Sequence, residues 1–280
     1  TLDDWLAAPL PPTPDIDPET PLLLLYTSGT TGRPKGALLS QRMLAANADN
    51  TALSWDLSGA DSSVAHAPFF HTGGLNVLTL PLLQRGGFSV LLPRFDPGQV
   101  LSAIVNWRLS VLFAVPTMFQ MLADHPDFAA AELGSLRFCI SGGAPCPIPL
   151  IEHWAARGLT FKQGYGLTEA GVNCLTLPEA YAVSHRGSVG FANWGTQTRI
   201  VDEAGQDVAV DQVGELWLAG PTLCSGYWRR PDASAELFAG RWLKTGDLFR
   251  RDAAGFHYVV DRKKDMYISG GENVYPAEVE

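Results

Sequence analysis

Residues 22 to 36 read Leu-Leu-Leu-Leu-Tyr-Thr-Ser-Gly-Thr-Thr-Gly-Arg-Pro-Lys-Gly. The apolar and aromatic run from Leu22 to Tyr26 predicts a buried strand. The strand runs into a loop with four hydroxyls (Thr27, Ser28, Thr30, Thr31), three glycines (Gly29, Gly32, Gly36) and two cations (Arg33, Lys35). Glycines let backbone N–H groups turn toward an anion and remove side chains that would block close approach. The hydroxyls add donors and the cations add charge, so the composition suits a polyphosphate. A Walker A loop is excluded, because Lys35 sits between Pro34 and Gly36 rather than in Gly-Lys-Ser/Thr. The bland alternative is a surface turn, which a Gly-rich loop by itself would more often be.

Outward from this stretch, strands alternate with helices. Ser40 predicts the N-cap of a helix carrying Met43, Leu44, Ala48 and Leu53. Residues 64–70 read as a strand running into His71-Thr72-Gly73-Gly74, 75–83 as a helix and 88–92 as a strand. Asp96-Pro97 starts a helix through Trp107, with Asp at N-cap and Pro at N1. A strand over 111–115 comes next, and Thr117 with Gln120 suggests a capping box. A strand over 136–140 ends at Ser141-Gly142-Gly143-Ala144-Pro145, a helix covers 147–157, and a strand over 159–162 ends at Gly164-Tyr165-Gly166-Leu167-Thr168-Glu169. This predicts an α/β fold, a mostly parallel sheet with flanking helices. The loops at 26–36, 68–74, 141–145 and 164–169 each come after a strand, and in an open parallel sheet they share the C-terminal edge, where ligands bind.

From Arg186 to Val260 short strands and turns take over, with Asp202-Glu203-Ala204-Gly205 and Asp252-Ala253-Ala254-Gly255 placed as hairpin turns. The expected organisation is a proline-rich, linker-like leader (1–20), an α/β nucleotide- and acyl-binding subdomain (21–185), a smaller β-barrel-like subdomain (186–260) and a hinge segment (261–280).

The 280 residues are 46% apolar and 18% charged, enough for a sizeable core. A net charge of −9 argues against a nucleic-acid binder, whose surface is usually basic. No apolar run reaches membrane-spanning length. Cys139, Cys146, Cys174 and Cys224 are scattered without a C-x-x-C pair, which reads as reduced thiols. With acidic first residues unlike a signal peptide, a cytoplasmic setting is expected.

Several residues carry chemistry by type and place. Glu169 offers a hard oxygen of the kind Mg²⁺ takes beside phosphate oxygens; its alternative is to cap a following helix. Thr168 offers a hydroxyl to a phosphate, and Tyr165 a flat face for a base or a packed core ring. His71 would orient a carboxylate or gate a pocket, against the commoner case of a structural histidine. Asp247 sits in Lys-Thr-Gly-Asp, read as a tight turn, where an aspartate usually bonds its own backbone. Arg262-Lys263-Lys264 is the one dense basic run, solvated by default or a local anion contact.

Together these stretches resemble, in order, the motifs of the adenylate-forming enzymes, the superfamily of acyl-CoA synthetases, firefly luciferase and peptide-synthetase adenylation domains. The resemblance covers residues 21–280 and leans toward acyl-CoA ligases through Gly270-Gly271-Glu272-Asn273-Val274-Tyr275-Pro276. It implies ATP, Mg²⁺ and, as co-substrate, CoA. Thr27, Ser28, Gly29, Thr30, Thr31, Gly32 and Lys35 would bind the phosphates. Gly142, Gly143, Ala144, Pro145, Tyr165, Asp247 and Arg262 would bind adenine and ribose. Glu169 would hold the metal, with Thr168 on a phosphate. Phe69, Phe70, His71 and Gly143 would form the acyl pocket, Lys264 the hinge, and Gly270 and Gly271 the approach to CoA.

The activity implied is ATP-dependent acyl-CoA synthesis on a fatty or other apolar carboxylic acid. The alternatives are an adenylation domain loading a carrier protein and a catalytically silent nucleotide-binding module. The chain is expected to be the middle of a larger enzyme. Without the C-terminal domain, whose lysine contacts the forming acyl phosphate in such enzymes, it is expected to be slow or inactive in adenylation.

Overall fold

The computed structural model describes residues 15–27, 34–263, 267–269 and 272–274. In chain order it contains β1 (Pro21–Thr27), β2 (Lys35–Ser40), α1 (Gln41–Trp55), β3 (Ser62–Ala65), α2 (Thr72–Asn76), α3 (Thr79–Arg85), β4 (Phe88–Leu91), α4 (Pro97–Trp107), β5 (Val111–Ala114), α5 (Pro116–Ala123), β6 (Phe138–Ser141), α6 (Ile148–Ala155) and β7 (Phe161–Tyr165). Shorter pieces complete it: β8 (Leu175–Thr176), β9 (Phe191–Ala192), β10 (Gln197–Val201), β11 (Gly214–Ala219), α7 (Pro231–Leu237), β12 (Phe238–Ala239), β13 (Trp242–Arg251), β14 (His257–Arg262), β15 (Tyr267–Ser269) and β16 (Glu272–Val274).

Strands β5, β6 and β7 are parallel, and β8 and β9 continue the sheet antiparallel. The parallel pair β3–β4 is tied to it where the Ser110 N–H donates to Ser62 O at 3.1 Å. Side-chain alternation assigns the two faces. Leu112, Ala114, Cys139 and Phe161 join one core with Val100 and Ile104 of α4, Phe119 and Leu122 of α5 and Trp154 of α6. Val111, Phe138 and Ile140 point the other way, onto Trp55 of α1 and Leu82 of α3. A strand covered on both faces reads as a continuous apolar run, which is why β5 and β6 were legible as strands. The second sheet, β10–β11–β13–β12 with β14 on β13, is antiparallel and forms a half-barrel.

Local signals hold where they are self-contained. Ser40 Oγ accepts from Met43 N, and Asp96 Oδ1 accepts from Gln99 N at 2.9 Å with Pro97 in the first turn. Asp202 Oδ1 and Asp252 Oδ1 each accept two backbone N–H groups, closing the two expected turns. Other expectations are corrected. The strand at 64–70 is only β3, because Pro68 lies in the following loop and cannot donate to a ladder. The helix at 75–83 is two helices, α2 and α3. Thr117 caps nothing: Val115 stands at the N-cap, Pro116 opens α5, and the Gln120 amide donates to Asp124 instead.

The largest correction concerns the opening stretch. Leu22 to Tyr26 do form a strand, but Leu25 is the buried member, while Leu22, Leu24 and Tyr26 are exposed. β1 pairs antiparallel with β2 in a two-stranded sheet of their own, so this strand is not a member of the parallel sheet. An apolar run does not tell a strand covered on two faces from one covered on one.

Candidate nucleotide site

The hairpin ends at the pair Thr27–Lys35, the two residues that flank the hydroxyl- and glycine-rich loop. Ser28, Gly29, Thr30, Thr31, Gly32 and Arg33 lie outside the described residues, as do Lys264, Gly270 and Gly271. Residues 225–228 lie along the open side of β2. Leu38 N donates to Gly226 O at 2.9 Å, Ser225 N to Leu38 O at 3.0 Å and Trp228 N to Gly36 O at 2.8 Å. This brings Tyr227 opposite Ala37 and under Lys35, whose Nζ is 5.2 Å from the phenol ring centroid.

Glu169 meets this assembly from the other side. After β7 the chain doubles back, and a Cβ on Gly166 would lie 2.0 Å from Val172 O, so only glycine permits the turn. Thr168 to Ala170 form one 3-10 turn whose residues are buried. The Glu169 carboxylate caps no helix. Its Oε1 accepts from Thr27 Oγ1 at 2.9 Å, 142 residues earlier in the chain, and from the Tyr227 hydroxyl at 2.9 Å. Its backbone carbonyl accepts from Cys224 N at 2.8 Å. Burial and the neighbouring Glu169 charge push the Tyr227 phenol far above its usual range, so it remains a donor.

A second cluster gathers around Asp247. This residue is not in a turn but in β13, paired with Arg262 of β14. Its Oδ2 accepts from the Tyr165 hydroxyl at 2.5 Å, and Arg262 Nε lies 3.7 Å from Oδ1. Tyr165 sets its ring edge-on to Phe249 at 4.8 Å. Beside them Glu215 accepts from Gly246 N at 3.1 Å and from Lys263 Nζ at 3.0 Å. Thus two members of the basic run pair with carboxylates of the half-barrel. Burial raises the Asp247 carboxyl above the usual range, Tyr165 and Arg262 oppose this, and the nearby charges of Glu215 and Glu169 add to it.

The remaining loops converge on Phe113. A Cβ on Gly142 would lie 3.6 Å from its ring, and one on Gly73 3.5 Å from the same ring. Gly143 holds φ +85°, and Gly143, Ala144 and Pro145 are exposed. His71 is exposed and accepts from Gly73 N at 3.1 Å, capping α2. Phe69 is 46% exposed and Phe70 80%, beside the turn that His71 N closes on Pro68 O. Ser141 and Gln163 are Cα partners across β6 and β7, and among the described residues the buried Gln163 Nε2 has no hydrogen-bond partner.

Tyr227, Glu215 and Phe113 lie against these residues without the sequence having singled them out, and Lys263 was marked only as part of the basic run. Nothing local in Gly226-Tyr227-Trp228 distinguishes a packed phenol from one whose hydroxyl reaches a carboxylate. Among the described residues no three or more His, Cys, Asp or Glu side chains gather to hold a metal by themselves. Mg²⁺ takes one or two carboxylates and completes its shell with phosphate oxygens and water. Glu169 matches this demand, since both hydroxyls bond Oε1 rather than Oε2. The four cysteines are buried free thiols, and burial pushes Cys174 and Cys224 up to about 12. Among the described residues no helix is long and apolar enough to cross a membrane.

Comparison with known proteins matches residues 2–228 to the family model described as AMP-binding enzyme. The chain is 44% identical over 270 residues to a feruloyl-CoA synthase from an Amycolatopsis species, covering 96% of this chain and 55% of that protein. It is 41% identical over 271 residues to an indoleacetate–CoA ligase from Aromatoleum aromaticum, covering 97% and 53%. Among solved structures, O-succinylbenzoate coenzyme A synthetase from Bacillus subtilis, in complex with ATP and a magnesium ion, superimposes with a TM-score of 0.85 at 33% identity, over 100% of this chain and 58% of that one. The chain spans about half the length of the curated relatives it matches.

Proposed function

The chain belongs to the AMP-binding enzyme family, the adenylate-forming enzymes of acyl-CoA ligase type, and on that footing we propose that it carries the nucleotide site of an ATP-dependent acyl-CoA ligase acting on an apolar carboxylic acid. The observation that carries this reading is the Thr27–Glu169 hydrogen bond, which joins the base of the phosphate-type loop to the carboxylate motif 142 residues later. In the proposed reaction the acid's carboxylate attacks the α-phosphorus of ATP, the bond to pyrophosphate breaks, and acyl-AMP forms. The CoA thiol then attacks the acyl carbon and AMP leaves.

Lys35, Thr27 and the loop between them would receive the β- and γ-phosphates, and Thr168 would add a hydroxyl. Glu169 would hold Mg²⁺, which when bound supplies charge neutralisation at the phosphates. Asp247, with Arg262 beside it, would accept from the ribose hydroxyls, and Tyr165 with Gly142 to Pro145 would border the adenine. His71 and Gly143 would face the carboxylate end of the acid, with Phe113 as the apolar wall between their loops. A flat aromatic acid or a fatty tail suits such a wall, and two relatives are named for aromatic acids.

The test is AMP release by the enzyme with ATP, Mg²⁺, CoA and a panel of aromatic, short, medium and long carboxylates. Turnover that needs both an acid and CoA supports the reading. Acyl-AMP that accumulates without passing to CoA favours carrier-protein loading, and ATP binding without turnover on any acid favours a silent binding module.

A further inference from the structure

We propose that Tyr227 is a positioning residue for the phosphate–metal corner, its hydroxyl orienting the Glu169 carboxylate and its ring seating Lys35. The proposal rests on the reading of Glu169 as the magnesium ligand. The geometry is a three-part contact made by one side chain. The hydroxyl donates to Glu169 Oε1 at 2.9 Å, the ring lies 5.2 Å under Lys35 Nζ, and the backbone is bridged to Ala37 on β2. Tyr227 N donates to Ser234 Oγ at 2.8 Å, which pins the segment to α7. A cation and an anion from distant parts of the chain are therefore held against the two ends of one phenol.

The ring alone does not require a hydroxyl. A phenylalanine would fill the same space and keep the cation–π contact, worth about 0.5–1 kcal/mol at an exposed site. The hydroxyl adds a second donor, after Thr27, on one oxygen of Glu169. Two donors on Oε1 restrict rotation of the carboxylate about its last bond, and neither of them bonds Oε2. Among the described residues, the carboxylate without Tyr227 keeps the Thr27 bond alone, made by a residue that borders the phosphate-type loop itself.

The experiment compares Tyr227→Phe, Tyr227→Leu, Thr27→Val and Glu169→Gln with the parent chain. Mn²⁺ binding in the presence of ATP is followed by electron paramagnetic resonance, ATP binding without metal by calorimetry, and folding by melting temperature. Tyr227→Phe is expected to weaken Mn²⁺ binding in the ATP complex about tenfold, equivalent to about 1.4 kcal/mol, and to leave metal-free ATP binding within about twofold. Tyr227→Leu is expected to lose about threefold in metal-free ATP binding as well, because the seat of Lys35 is gone. Thr27→Val should match Tyr227→Phe on Mn²⁺, since it removes the other donor from the same oxygen.

Unchanged Mn²⁺ affinity in Tyr227→Phe, with Glu169→Gln abolishing it, overturns the proposal and leaves the metal reading intact. Unchanged Mn²⁺ affinity in Glu169→Gln overturns the metal reading and the proposal with it. Equal losses with and without metal, or a lowered melting temperature in Tyr227→Phe, show a packing role only and also overturn it.

Discussion

Lys162 is a cation inside the sheet, 2% exposed, and its removal is expected to stabilise the protein at neutral pH. It sits on β7 on the face that carries Phe138 and Trp55, with Nζ 3.7 Å from the Phe138 ring centroid and 5.6 Å from that of Trp55. Its ion partner, Glu179, is 3.6 Å away and half in water. Burial lowers the amine from the ordinary 10.5 to about 8, against the attraction of Glu179. At about 1.36 kcal/mol per pKa unit this displacement corresponds to roughly 3 kcal/mol against the charged form. Attraction to the Phe138 face offsets about 1–2 kcal/mol. Lys162→Met keeps the volume, removes the charge and leaves Glu179 solvated, so a gain of about 1–3 kcal/mol at pH 7 is expected, or about 2–6 °C in melting temperature.

The sign fixes the pH window. Between about pH 8 and 10.5 the folded protein has released this proton while the unfolded chain retains it, so the parent gains stability with rising pH there. The variant should lack that gain. The assay is thermal unfolding of parent and variant at pH 7 and pH 9.5. A variant that melts lower at pH 7, or a parent and variant with the same pH slope, would refute the reasoning and make the ion pair a net stabiliser.

Asp247 and Gly166 carry the other predictions. Because burial raises the Asp247 carboxyl, acidification should protonate it at a pH above the ordinary aspartate range. AMP affinity, measured by calorimetry across pH 4 to 8, should then fall with acidification in the parent and be low and flat in Asp247→Asn. The same shift makes its ionisation unfavourable to folding: its contribution is present below the ordinary carboxylate pKa and is lost as pH rises through the raised one, so Asp247→Asn should melt no lower at pH 7. Gly166→Ala places a carbon 2.0 Å from Val172 O, a backbone clash that only a displaced loop relieves. A loss of about 1–3 kcal/mol in stability and at least a tenfold loss in ATP affinity are expected, and normal values of both would show that the turn tolerates a side chain.

Most of the α/β half is legible residue by residue because its signals act within one turn or one strand. Ser40 and Asp96 find their N–H partners three residues on, Asp202 and Asp252 close their own turns, and the continuous apolar runs of β5 and β6 need a layer on each face. Thr27, Tyr165 and Glu169 were marked by residue type and place, whereas Asp247 and Arg262 were marked only by the resemblance of their motifs, since an aspartate after Lys-Thr-Gly and an arginine in a basic run have plainer local readings. The sequence alone determined the α/β class and pointed to the motifs. Tertiary structure alone decided that the opening strand is a half-exposed hairpin arm, that Asp247 lies in a strand against Tyr165, that Lys162 is buried between aromatic rings, and that Tyr227 reaches Glu169. The side-chain contacts among these join segments far apart in the chain, 82 residues for Tyr165 and Asp247 and 58 for Glu169 and Tyr227. Such a contact leaves no local periodicity or turn chemistry to read, because its energy exists only once both segments are in place.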